Sequence, residues 1–311
     1  MKKANKNPAT ASTVDAPIVH SLHVENFDEA LVSKPHITKH RIHKEGFTEA
    51  FRVEALTQVQ ERLFGKWKLL GEKGGNDVFA DRCSVYIFGQ FYGRDGLDLK
   101  TRGLLVLSAL TVWLRDGVIQ TWTNACLNLG WSEDQIKELG ALASHVNGYP
   151  PIRGSLLIFD DVFEKHRARV GGLSPQPGAG SVGTPAAAPG DLYRKGAELA
   201  TRLFGTSDGD FADIPIAAND DFRKEMVTWV FGYLFTERSL IPLKAKVLAV
   251  IAMSIAAGHQ TMFRRWITAA RNVGCSRLEL QETVLTMAVY AGWPVAYDAL
   301  NVLAEEWAPD F

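Results

Sequence analysis

The stretch Asn76-Asp77-Val78-Phe79-Ala80-Asp81-Arg82-Cys83-Ser84-Val85-Tyr86-Ile87-Phe88-Gly89 returns later in the chain as Asn219-Asp220-Asp221-Phe222-Arg223-Lys224-Glu225-Met226-Val227-Thr228-Trp229-Val230-Phe231-Gly232. A shift of 143 to 144 residues then carries Trp122 onto Trp266, Gly130 onto Gly274, and Gly148 with Pro150 onto Gly292 with Pro294. The matched positions are turn glycines, a proline and large apolar residues, the positions that fix a fold, so one folding unit is expected twice in this chain. A site between two such units can keep chemistry in one copy and lose it in the other.

Outward from the repeat, apolar residues recur at three and four, as in Leu56, Val59, Leu63 and Phe64, and the run stops at Gly65. Helices are expected at about 77 to 91, 99 to 114, 117 to 129, 133 to 147 and 150 to 166, and again near 220 to 235, 243 to 257, 260 to 273, 277 to 291 and 294 to 307. Ser132 and Ser276 stand where helix caps belong, and Pro150 and Pro294 fall in first turns. No sustained alternation of the strand kind occurs. The expected class is all-α, with two tandem helical bundles at 51–168 and 191–311. Residues 169–190, rich in Gly, Pro and Ala, read as a flexible tether, because such a composition buries too little apolar surface to offset its ordering entropy.

The chain has 311 residues, enough for two cores, with 46% hydrophobic and 22% charged side chains. Its 34 basic and 35 acidic residues nearly cancel, which gives no electrostatic case for nucleic acid or an anionic membrane. Charges interrupt the most apolar segments, and no secretory pattern follows the polar stretch Met1 to Val14, so a cytoplasmic protein is expected. Cys83, Cys126 and Cys275 are widely spaced and odd in number, which excludes a disulfide framework. Within the arm at 1–50, His36, His40 and His43 stand at helical spacing, but Pro35 and the flanking Lys39, Arg41 and Lys44 favour a solvated arm over a metal site. No metal and no cofactor is expected.

The run Phe88-Gly89-Gln90-Phe91-Tyr92-Gly93-Arg94-Asp95-Gly96-Leu97-Asp98-Leu99-Lys100-Thr101-Arg102 resembles the carboxymuconolactone decarboxylase family, as do Tyr290-Ala291-Gly292-Trp293-Pro294 and Gly274-Cys275-Ser276. The resemblance implies an alkylhydroperoxidase D-like helical fold and an assembly of six units, hence a homotrimer of this two-unit chain, with a dimer second. It also implies four site slots per unit. The thiol-peroxidase branch needs a glutamate, a C-x-x-C pair and a histidine there. This chain holds Gly103, Arg115, Val118 and Trp122 in one copy and Val247, His259, Met262 and Trp266 in the other, so no thiolate can form and peroxidase chemistry is disfavoured. The decarboxylase branch places a glutamate and a histidine in the last two slots, and both copies have lost them.

What remains is a decarboxylase-like lyase on a cyclic lactone acid or β-keto acid, with an isomerase or cyclase, or a catalytically silent member, as alternatives. Arg94 and Arg102 present planar forks that either hold a substrate oxyanion or pair with Asp95, Asp98 or another carboxylate. His259, in a site slot, and His145, before the Gly148 turn, are candidate proton donors. Trp122 and Trp266 should plug or wall the site, and Tyr149, Trp293 and Tyr297 stand at turns that can extend such a wall. Glu138 and Glu282 are read as interface salt-bridge or capping residues.

Overall fold

The computed structural model describes residues 49–65, 83–113, 116–170, 189–205 and 220–307. The N-terminal arm with its histidines, Arg115, and residues 171–188 of the expected tether lie outside these. Every regular element among the described residues is a helix. In chain order they are α1 (Glu49–Phe64), a π-helix π1 (Val85–Phe91), α2 (Leu99–Trp113), α3 (Asp116–Asn128), α4 (Glu133–Asn147) and α5 (Tyr149–Arg169). The second half supplies α6 (Pro189–Phe204), α7 (Asp220–Met226), π2 (Val227–Glu237), α8 (Leu243–Ala256), α9 (Gln260–Asn272), α10 (Arg277–Ala291) and α11 (Trp293–Glu306). The all-α expectation is met, and α4 and α10 fall on the expected bounds.

One difference is systematic. Where continuous α-helix was expected, both Val85–Phe91 and Val227–Glu237 widen into π-helix, closing with five-residue steps such as Tyr92 N to Ile87 O at 3.1 Å and Arg238 N to Tyr233 O at 3.0 Å. Hydrophobic spacing cannot separate the two helix types over so few turns.

The core runs through both halves. In α2 every residue from Arg102 to Thr111 is buried, and in α8 every residue from Lys246 to Ala256, as expected of helices that are apolar all round. These two helices pack against each other, so the seam between the halves is the middle of the protein and not a surface contact. The outer helices are held by latches that occur once per half. Asn128 Nδ2 donates to Leu63 O at 2.7 Å, and Asn272 Nδ2 to Leu203 O at 2.8 Å. Lys100 Nζ donates to Gly130 O at 2.8 Å, and Lys244 Nζ to Gly274 O at 3.0 Å. Ser132 with Gln135 and Ser276 with Glu279 form complete capping boxes.

π2 crosses α6 backbone to backbone. A Cβ built on Gly196 would lie 2.3 Å from Val227 O, and one on Gly232 would lie 2.3 Å from Leu192 O. Carbonyl oxygens of a hydrogen-bonded helix cannot swing aside as a side chain can, so no larger residue fits without separating the helices. Gly232→Ala should therefore cost about 1–3 kcal/mol of stability. By contrast, Gly117→Ala, with nothing within 4 Å, should stay within about 1 kcal/mol of the parent; thermal melts of the two variants check this.

Candidate functional site

Two buried ion pairs cross the seam. Arg102, 1% exposed, donates from Nη2 to Glu282 Oε2 at 2.8 Å, from Nη1 to Thr286 Oγ1 at 2.9 Å, from Nε to Leu97 O at 3.1 Å, and from Nη2 to Arg94 O at 3.1 Å. Arg94 sets its Nε and Nη2 on the same carboxylate at 2.9–3.0 Å. In the mirror position Lys246 Nζ reaches Glu138 Oε1 at 2.8 Å and donates to the carbonyls of Leu234, Phe235 and Arg238 at the end of π2. Glu138 also accepts the backbone N–H groups of Leu240 and Ile241, each at 3.0 Å.

Burial is the first influence on both cations, pulling the Arg102 guanidinium and the Lys246 ammonium below their ordinary values, and the facing glutamates oppose it. The expected Arg94–Arg102 fork is thus occupied. Neither Asp95 nor Asp98 is the partner: Glu282 of the other half is, while Asp98 caps α2 through Thr101 N at 2.9 Å. Glu138 and Glu282 hold the interface role read for them.

Both tryptophans point inward. Trp122, 3% exposed, stacks on Tyr92 at 5.7 Å and meets Phe64 and, across the seam, Tyr290 edge-on. Trp266, 1% exposed, stacks on Phe235 at 5.4 Å and meets Phe204 and, across the seam, His145. Both indoles lie within the one continuous core. The hydroxyls of Tyr92 and Tyr290 share a 2.8 Å hydrogen bond, and burial raises both phenols.

An open cavity lies beside Trp266. It encloses 670 Å³ and is lined by Ser144, His145 and Val146 at the end of α4, Phe222, Glu225 and Met226 of α7, Trp229 and Val230 of π2, and Ser254, His259 and Met262. The left-handed Gly258 (φ +72°) ends α8 and turns the chain so that His259 starts α9, exposed at the cavity edge, with no cap bond from its side chain. Burial pushes the His145 imidazole down to about 4, so it is neutral at pH 7. Its Nε2 is shielded from solvent and has no hydrogen-bond partner among the described residues.

The structure therefore brings His145 and His259 to one cavity but leaves Arg94 and Arg102 out of its lining. Tyr149, Trp293 and Tyr297 do not wall it either: they are 65%, 52% and 67% exposed, because the turns at Gly148 and Gly292 put them at the outer starts of α5 and α11. Glu225, Trp229, Ser144 and Ser254 were not anticipated. For the first two, the signal lay inside the repeated stretch itself, where the copies differ. All three cysteines are free thiols; Cys126 and Cys275 are buried, and burial raises both, Cys275 to about 12. Among the described residues no group of His, Cys, Asp and Glu is arranged to hold a metal, and no helix is long and apolar enough to cross a membrane.

Residues 224–305 match the sequence model of the carboxymuconolactone decarboxylase family. The 4-carboxymuconolactone decarboxylase of Acinetobacter baylyi (strain ATCC 33305 / BD413 / ADP1) is 28% identical over 89 residues, which cover 29% of this chain and 66% of that relative's length. The family resemblance is borne out on this span, which contains π2, α8, α9 and the cavity residues Glu225 to Met262. The wall contributed by α4 lies outside it.

Two outcomes follow. Arg102→Ala removes the fully buried partner of Glu282, leaving that carboxylate to Arg94 alone and Thr286 without its guanidinium, and should destabilise by about 3 kcal/mol in denaturant melts, whereas the double replacement Arg102→Met with Glu282→Leu should recover most of that loss. His145 is depressed in the folded state, so its contribution is present above about pH 6.5 and lost as pH falls towards about 4. Melting temperature should drop across that window, and His145→Gln should flatten part of the slope, the remainder belonging to His166, which is also pushed down to about 4.

Proposed function

We propose that this protein is a cofactor-independent, decarboxylase-like lyase that handles a proton in the cavity between its two halves, with a cyclic lactone acid or β-keto acid as substrate. The observation that carries this reading is the convergence of His145 and His259, from opposite halves, on one cavity walled by Phe222, Met226, Trp229, Val230 and Met262. In the reaction the bond between the carboxylate and the α-carbon breaks, carbon dioxide leaves, and the electron pair passes into an enolate. His259 then delivers a proton to the α-carbon and regains one from water at the cavity edge. His145, neutral at working pH, keeps an N–H with which to steady the enolate oxygen without carrying a competing charge.

The family match over 224–305 and the distant decarboxylase relative support a reaction of this general kind. An isomerase or cyclase acting on a related enolisable substrate uses the same groups without releasing carbon dioxide. A catalytically silent assembly protein is the other reading, and it draws support from Arg102, Lys246, Glu138 and Glu282 all being consumed in holding the halves together. We also propose a cytoplasmic homotrimer, with a dimer second. The exposed aromatics Tyr149 and Trp293, at matching turns of the two halves, provide apolar surface for such contacts. Light scattering measures the assembly.

With a panel of lactone and β-keto acids, His259→Gln should lower carbon dioxide release, or solvent deuterium incorporation, by about 10²–10⁴-fold while leaving the melting temperature unchanged. Absence of both signals from the parent protein across the panel would favour the silent reading.

A further inference from the structure

The cavity is poor in positive charge. Among the described residues its lining holds no lysine or arginine and one carboxylate, that of Glu225, exposed on α7. The interior cations are committed elsewhere, Arg94 and Arg102 to Glu282 and Lys246 to Glu138. On the helices that form the walls, Arg223 pairs with Asp220, and Arg264 pairs with Glu305 and Glu306, and neither arginine enters the lining. Burial keeps His145 neutral, so the exposed His259 is the one described lining side chain able to carry a positive charge. The neutral ring of His145 keeps one N–H and Trp229 carries another, so donors remain for an uncharged carbonyl. Most of the wall is apolar: Phe222, Met226, Val230, Met262 and the Trp229 ring, which stacks on Tyr233 at 4.9 Å with 21° between planes.

We infer that the cavity takes a mainly apolar ring ligand bearing a single carboxylate, an aryl or polycyclic β-keto monoacid rather than a polycarboxylated lactone, with its carboxylate at His259 and its rings among Phe222, Met226, Trp229 and Met262. A carboxylate at the open edge keeps part of its hydration and meets an imidazole. A second carboxylate has to lie on the apolar wall, where no cation offsets its lost hydration, or beside Glu225, where like charges repel. This narrows the substrate class for the site proposed above and rests on that cavity being the binding site. It does not depend on the proton transfer.

Isothermal titration calorimetry of the full chain at low ionic strength, with naphthalene-2,6-dicarboxylate and with its monomethyl ester, tests the inference, because the two probes share one skeleton and differ by one charge. The monoester should bind about tenfold more tightly or better. Glu225→Lys supplies the missing cation and should shrink that ratio several-fold by tightening the diacid, while Trp229→Ala should weaken the monoester several-fold, with circular dichroism confirming that the variants are folded. Equal or tighter binding of the diacid, no binding of either probe, or a ratio unmoved by Glu225→Lys would overturn it, whatever the turnover. A monoester preference that persists when His259→Gln has no effect on turnover would refute the catalytic reading and keep this one.

Discussion

Arg102 with Glu282, and Lys246 with Glu138, are the contacts on which the rest of the structure depends. Each pair joins a cation on a central helix of one half to a carboxylate on α4 or α10 of the other, and all four side chains are about 1% exposed or less. An ion taken that far from water is tolerable only when nearly every donor and acceptor is matched. Here the matching extends beyond the pair, because Lys246 also satisfies carbonyls left open at the end of π2, and Glu138 satisfies two backbone N–H groups before α8. The two halves are therefore complementary in charge as well as in shape, and each supplies the counter-ion for the other.

That constraint explains what became of the expected oxyanion fork. A guanidinium can bind a substrate only if its donors are free and its surroundings open, and those of Arg102 are spent on Glu282, Thr286 and two carbonyls. The seam stays open elsewhere, at the cavity beside Trp266. The first half contributes little there beyond the end of α4, but that end carries His145, whose burial keeps it neutral. The second half contributes the floor, the aromatic wall and His259. The two halves use equivalent positions differently: the neighbour across the seam at Trp266 is His145, and at Trp122 it is Tyr290, hydrogen-bonded to Tyr92.

The π-helical stretches bear on the same point. An extra residue per turn widens the helix, which for π2 sets Trp229 and Val230 at the cavity while Gly232 passes against the α6 backbone. Close packing on one face and an open wall on the other thus come from adjacent residues of one element.

The sequence by itself determined the helical class, the helix bounds to within a few residues, the punctuation at Gly130, Gly274, Gly148 and Gly292, and the inward tryptophans, since all of these follow from periodicity, turn chemistry and the size of an indole. It also put Glu138 and Glu282 at an interface. Only the tertiary structure decided which carboxylate Arg102 would meet, that His145 and His259 would face one cavity, and that Tyr149, Trp293 and Tyr297 would stand outside it. Such pairings join residues far apart in the chain, and their geometry is set by how α2 packs on α8, which no local spacing encodes.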